Sequence, residues 1–316
     1  MNKIFIRVVL LLIVASLLIF ILCRDRSPFG KCNSSFCSEP KEEITKIELF
    51  QQGRKLYLEK SEDKWLINGK VEARKSAVHF LESVLLEIQI KSPVSPDLFR
   101  KEITEKDIIP LRVKVFEKRK RIRSFLVYKT RSNNYGNIMK IKAGGKPFIV
   151  YMPGYEGDIG AAFTLNELFW QPYTLFNLLP SEISSVSFEN LSDTASSFSI
   201  VMRENQFTLT GMKGWDSASV IRYLSYFTRV PFEAWAFDIG EEERRRIESQ
   251  PPLYRIKVTT SEAITTVLTM WEKTDDETSA KDSDRLWGKT QISDELFVMR
   301  YFDIDPLIKK RSYFFH

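Results

Sequence analysis

The chain has 316 residues, 43% apolar and 28% charged, with a formal charge of +6. That is the balance of a folded globular protein long enough for two ordinary domains. The positive excess is modest and comes without a basic–aromatic cluster or a recognition-helix motif, which argues against a dedicated nucleic-acid binder.

The N-terminus carries the strongest signal. From Ile4 to Cys23 every residue is apolar or small except Arg7, and Val8 to Cys23 is uninterrupted. A helix rising ~1.5 Å per residue crosses a ~30 Å hydrocarbon core with about twenty residues, and Arg7 lies where its stem can reach the headgroups. Residues 4–23 are therefore expected to form a transmembrane anchor. A cleaved signal peptide fits less well because Phe20, Ile21 and Leu22 are bulky. A lipoprotein signal would want a small residue where Leu22 stands, and a buried soluble helix is the remaining alternative. Lys3 and Arg7 on one flank and Arg24, Arg26 and Lys31 on the other leave the charge rule for orientation undecided. The expected arrangement is an inner-membrane, single-pass protein with residues 1–3 as a cytoplasmic stub and everything after the anchor periplasmic. Residues 24–43 read as a stalk. Within it Cys32 and Cys37 are separated by four residues and could form a disulfide in an oxidising compartment, or remain two free thiols.

Periodic structure begins at Ile44. Strands are expected over Ile44–Leu49, Lys55–Lys60 and Trp65–Ile67, the last running into the tight-turn pair Asn68-Gly69. A helix from Ser76 follows, with Ala77, Leu81, Val84, Leu85 and Ile88 on one face, ended by Pro93 and Pro96. Two alternating strands, Leu111–Glu117 and Ile122–Lys129, flank a turn Lys118-Arg119-Lys120-Arg121, and Phe148–Met152 closes the set.

The same order then returns. Ile183-Ser-Ser-Val-Ser-Phe188 echoes Ile44–Leu49, Arg255–Val258 matches Arg112–Val115, and Phe297–Met299 matches Phe148–Val150. Asp216 is placed to cap a helix carrying Val220, Tyr223, Leu224, Phe227 and Val230. The offset grows from 139 to 149 residues along the chain, as small loop insertions would make it. The expected fold class is α+β: a transmembrane helix followed by two repeated lobes, residues 44–163 and 183–316, each an antiparallel sheet packed with a helix. Chance similarity between amphipathic strands is the alternative. Residues 164–182 connect the lobes, and Phe163, Phe169, Trp170, Tyr173 and Phe176 make this region unusually aromatic. It reads as inter-lobe core or, less readily, as an exposed interaction surface.

Candidate chemistry is sparse. His79 falls on the polar side of the first helix and His316 ends the chain. No Gly-x-Ser-x-Gly, Walker or Gly-x-Gly-x-x-Gly pattern occurs, and Gly154, Gly157 and Gly160 read as a turn because Glu156 and Asp158 lie between them. No metal site and no cofactor are expected. The bases Lys118, Arg119, Lys120, Arg121 and Arg123 at a hairpin tip read as a solvated edge or as a contact for anionic headgroups. Glu241–Arg246 should form a surface helix with Glu241–Arg245 and Glu242–Arg246 pairs, and Asp275–Asp284 an acidic hairpin loop.

The segments Ile44–Leu49, Lys64–Ile67, the helix after Ser76, Phe148–Tyr155, Trp170, Phe176, Arg222–Phe227 and Asp284-Arg285-Leu286, in that order, resemble the DUF4340 family, particularly its Bacteroidota members. Gln171-Pro172-Tyr173 stands where members often carry Arg-Asp-Arg. The resemblance implies an envelope accessory role, in some members beside ABC-type transport systems, and brings no catalytic residues. Sequence and resemblance together imply a non-enzymatic, membrane-anchored envelope protein with protein partners. The alternatives are a tethered solute- or glycan-binding module and, less readily, a hydrolase.

Overall fold

A computed structural model describes residues 36–130, 137–204, 206–274, 280–291 and 293–315. The apolar run 4–23, Cys32 and His316 lie outside the described residues. Among the described residues no helix is long and apolar enough to cross a membrane. The chain divides into two compact units, residues 1–172 and 173–316.

Unit 1 is built on alternation. In β1 (Lys46–Gln51) Ile47 and Leu49 are buried while Lys46 and Glu48 face outward, and β2 (Arg54–Ser61) buries Leu56 and Leu58 against them. Each such side chain contributes roughly 1.5–3 kcal/mol on leaving water. β3 (Lys64–Ile67) turns into β4 (Val71–Glu72) through Asn68 and Gly69, both at positive φ, the conformation for which this pair is suited. Helix α1 (Lys75–Glu87) lays Ala77, Val78, Leu81, Val84 and Leu85 on the sheet. β5 (Gln89–Pro93) follows, with Pro93 tolerated because the strand is at the sheet's edge. β6 (Leu111–Glu117), β7 (Lys120–Tyr128), β8 (Asn137–Lys140) and β9 (Phe148–Tyr151) complete an antiparallel sheet of order β4-β3-β2-β1-β6-β7-β8-β9-β5. The segment around Pro96–Phe99 covers Leu126, Tyr128, Ile138 and Ile149 on the opposite face.

In unit 2, after β10 (Thr174–Phe176), come β11 (Ile183–Asn190), β12 (Phe198–Arg203) and β13 (Gln206–Leu209). Helix α2 (Ser217–Ser225) is capped by the Asp216 carboxylate, which accepts from the Ala218 and Ser219 amides at 3.2 and 2.8 Å. β14 (Val230–Pro231) pairs with β10, and β15 (Ala234–Trp235) leads to α3 (Glu241–Ser249). β16 (Tyr254–Thr260), β17 (Thr265–Thr274), β18 (Lys281–Thr290) and β19 (Phe297–Arg300) give the sheet order β13-β12-β11-β16-β17-β18-β19-β15. Strand for strand this is the order of unit 1 without its β4. Even the register corresponds: Ile47 opposes Val115 as Val186 opposes Val258.

Several expectations need correction. The basic turn is shorter than anticipated, since Lys120 and Arg121 already belong to β7. The second helix ends at Ser225, and Val230 lies in a strand instead. Lys281–Asp284, expected in an acidic loop, are strand because β17 and β18 form a long hairpin. Arg246 pairs with Glu243 at 2.6 Å rather than with Glu242, while the Glu241–Arg245 pair forms at 3.4 Å.

A basic groove on the open flank of β7

The β6–β7 hairpin brings the basic residues together in a way that spacing alone does not show. β8 pairs with β7 only as far as Leu126, opposite Lys140. The chain then turns away, held by the Gly145 amide donating to the Lys142 carbonyl at 2.8 Å. The flank of β7 over Arg121–Phe125 is thereby left open, and side chains from both its faces line a groove of about 490 Å³.

Four cations border this groove: Arg112 from β6, Arg121 and Arg123 from β7, and Lys142 from the turn. None of them has an ion-pair partner among the described residues, in contrast to the neighbouring lysines. On the outer face of β1, Lys55 and Lys114 approach Glu48 at 3.2 and 3.7 Å. Lys118 at the hairpin tip is held by Glu42 at 2.7 Å. Arg123 is half-buried, and its Nε has neither solvent contact nor a hydrogen-bond acceptor. Such an atom costs about 1–3 kcal/mol when left unsatisfied, more when charged. Phe125, Ile122 and Ile141 supply the apolar wall.

The hairpin bases singled out from the sequence thus divide. Arg121 and Arg123 line the groove, Lys118 is neutralised, and Arg119 and Lys120 are exposed at the tip. Arg112 and Lys142 were missed. Arg112 stands at an outward position of an alternating strand, which looks like any solvated residue. Lys142 is brought in by a turn that no sequence signal announces.

Phe36 anchors the start of the described chain beside the groove. It is buried, its ring edge-to-face with Phe125 at 5.9 Å and Phe148 at 6.2 Å. Next to it the Cys37 thiol is free and donates to the Leu86 carbonyl at 2.8 Å. Burial pushes that thiol up, with Glu39 adding to the rise and Arg123 opposing it. Its suggested disulfide partner, Cys32, lies outside the described residues.

The aromatic connector is not a surface. Phe163 and Trp170 are fully buried in the core of unit 1, and the Trp170 indole donates to the Thr164 carbonyl at 3.0 Å. Phe169 is half-buried beside Trp170 and under the Arg74 guanidinium. Tyr173 stacks on Phe232 and Phe176 packs on Phe227, both in unit 2. The five residues serve two separate cores because the boundary between units falls at Pro172 and Tyr173.

Other hollows are formed by the described residues of unit 1, two of them notable. One, of about 450 Å³, is lined by Pro93, Val94, Phe99 and Pro147, with Lys140 over the Phe99 ring at 3.8 Å and its ammonium pKa lowered by burial. In the other, of about 390 Å³, the Asp158 carboxylate accepts from Asn137 at 2.9 Å and from the Gly160 amide at 2.8 Å, a self-satisfied turn. His79 is exposed on α1. Arg285 forks onto Glu233 at 2.8 and 3.2 Å, and this hydrogen-bonded pairing holds the Glu233 carboxyl below its ordinary range. Among the described residues no three His, Cys, Asp or Glu side chains are grouped to hold a metal ion.

Comparison with family models, with curated proteins and with solved structures finds no match to this chain.

Proposed function

We propose that this chain is a membrane-anchored envelope protein that works by contact rather than by catalysis, as an accessory or interaction subunit of a membrane assembly. The observation that carries the reading is the uninterrupted apolar run Val8–Cys23, followed along the chain by two folded units whose polar faces are charged. The two folded units that follow the run are the parts of the chain assigned the function. The shared strand order supports their origin as copies of one unit. The ordered resemblance to the DUF4340 family supports the same role, including an association with ABC-type transport. The most distinctive surface among those described is the unpaired basic groove, which suits recognition of an anion more than a reaction.

The test has two parts. The full chain should stay with membranes through a carbonate wash, and protease added to spheroplasts should digest the units while sparing them in intact cells. In-cell crosslinking followed by mass spectrometry of the detergent-extracted protein should then yield a discrete partner set. A chain released by carbonate, or one that crosslinks to nothing beyond itself, overturns the reading.

A further inference from the structure

We infer that the groove on the open flank of β7 is a seat for the phosphate of a net-anionic phospholipid headgroup, which draws unit 1 down onto the membrane. The inference rests on the anchored reading above and assigns that reading its surface. Three of the four cations are arginines, whose planar forks match the paired oxygens of a phosphate. They gather on one groove with no ion-pair partner among the described residues, while basic residues a strand away are paired. Arg123 already bears the desolvation of its Nε, so an anion arriving at the outer guanidinium nitrogens offsets a cost that the fold has left open.

The position of the groove selects the membrane as the source of the anion. Phe36, the first described residue, packs directly on the groove-lining Phe125. Residues 24–35 lie between it and the end of the apolar run, and a chain of that length spans at most ~45 Å whatever its conformation. The groove is thus held within a few nanometres of the headgroups at all times. Arg119 and Lys120, exposed at the same hairpin's tip, add to the attraction. Covalent tethering makes the second contact intramolecular, so a weak headgroup affinity suffices to populate it. A phosphorylated solute shares the binding chemistry but gains nothing from the tether.

The experiment uses the full chain in nanodiscs of phosphatidylcholine alone and in nanodiscs enriched in phosphatidylglycerol. Amide hydrogen exchange over residues 111–127 reads occupancy of the groove. Protection should appear with phosphatidylglycerol and be lost in Arg112→Gln and Arg121→Gln, each change weakening the contact about fivefold. Arg229→Gln, an exposed arginine of unit 2, should leave the protection intact, and neither groove variant should change retention through a carbonate wash. Retention lost in every variant would sink the anchor, whereas retention kept without lipid-dependent protection would sink the groove assignment alone. Protection by inorganic phosphate that is indifferent to lipid charge would overturn the membrane as source and leave a soluble phosphorylated ligand. Protection by polyglutamate but not by phosphatidylglycerol would replace the lipid with an acidic protein.

Discussion

Phe36 meets Phe125 edge to face, with ring centroids 5.9 Å apart and planes at 83°. The first buried side chain of the described chain is thereby locked to a strand whose flank is open. This contact transmits the position of whatever precedes Phe36 to the basic groove, because a buried aromatic pair resists small displacements.

Removing that lock should be costly. Phe36→Ala deletes a fully buried ring that also meets Phe148 at 6.2 Å, and should destabilise unit 1 by about 3–5 kcal/mol. Hydrogen exchange should show the loss in the strands around Phe125, with the amides of unit 2 unchanged. Equal loss in both units would show that they do not unfold separately.

Tyr223 ties stability to alkaline pH. Its hydroxyl donates to the Leu307 carbonyl at 3.1 Å, and complete burial pushes its pKa far above the ordinary phenol value. The fold therefore holds the proton that the unfolded chain releases above pH ~10. The stabilisation is fully present below that pH and declines as pH rises further. Thermal melts between pH 9 and 11 should show a steep fall in the midpoint of unit 2. Tyr223→Phe should reduce the slope, while costing about 1 kcal/mol at neutral pH for the lost hydrogen bond.

Gly288 sits directly across from Phe297 in the β18–β19 ladder, and a side chain there would collide with the Phe297 ring and with Met299 Sδ. Gly288→Ala should cost about 1–3 kcal/mol by overpacking, read as a lowered denaturant midpoint with an unchanged slope. A neutral outcome would mean that the ring swings aside freely.

Cys37 should react slowly. Its thiol pKa is raised by burial and its proton is held by the Leu86 carbonyl, so little thiolate forms at neutral pH. Mass spectrometry should find Cys37 unmodified by iodoacetamide in the native protein and fully alkylated in urea without reductant. Alkylation that requires a reductant would instead reveal a disulfide.

Much of the architecture was legible because alternation and helical spacing are local. Ile47 and Leu49, or Leu81 and Leu85, declare their buried face within one element, and the returning order of such elements forecast two similar units. The capping of α2 by Asp216 was legible for the same reason. By contrast, β8 and the length of the β17–β18 hairpin, whose loop was expected to run on to Asp284, were not foreseen, since these strands are specified by the partners they pair with and only weakly by their own alternation.

The site followed the same division. Sequence alone determined that the chain begins with a run long and apolar enough to span a bilayer, and that basic residues crowd one hairpin. Only the tertiary structure decided which of those bases remain uncompensated. Glu42 reaches Lys118 from 76 residues away and Lys142 joins Arg112, Arg121 and Arg123, because β8 leaves the sheet at Lys140. The aromatic connector makes the same point: its composition suggested one core shared between the lobes, and the fold divides it between two. Charge compensation and burial are both sums over neighbours in space, and neighbours across a sheet are set by strand order, which no local pattern encodes.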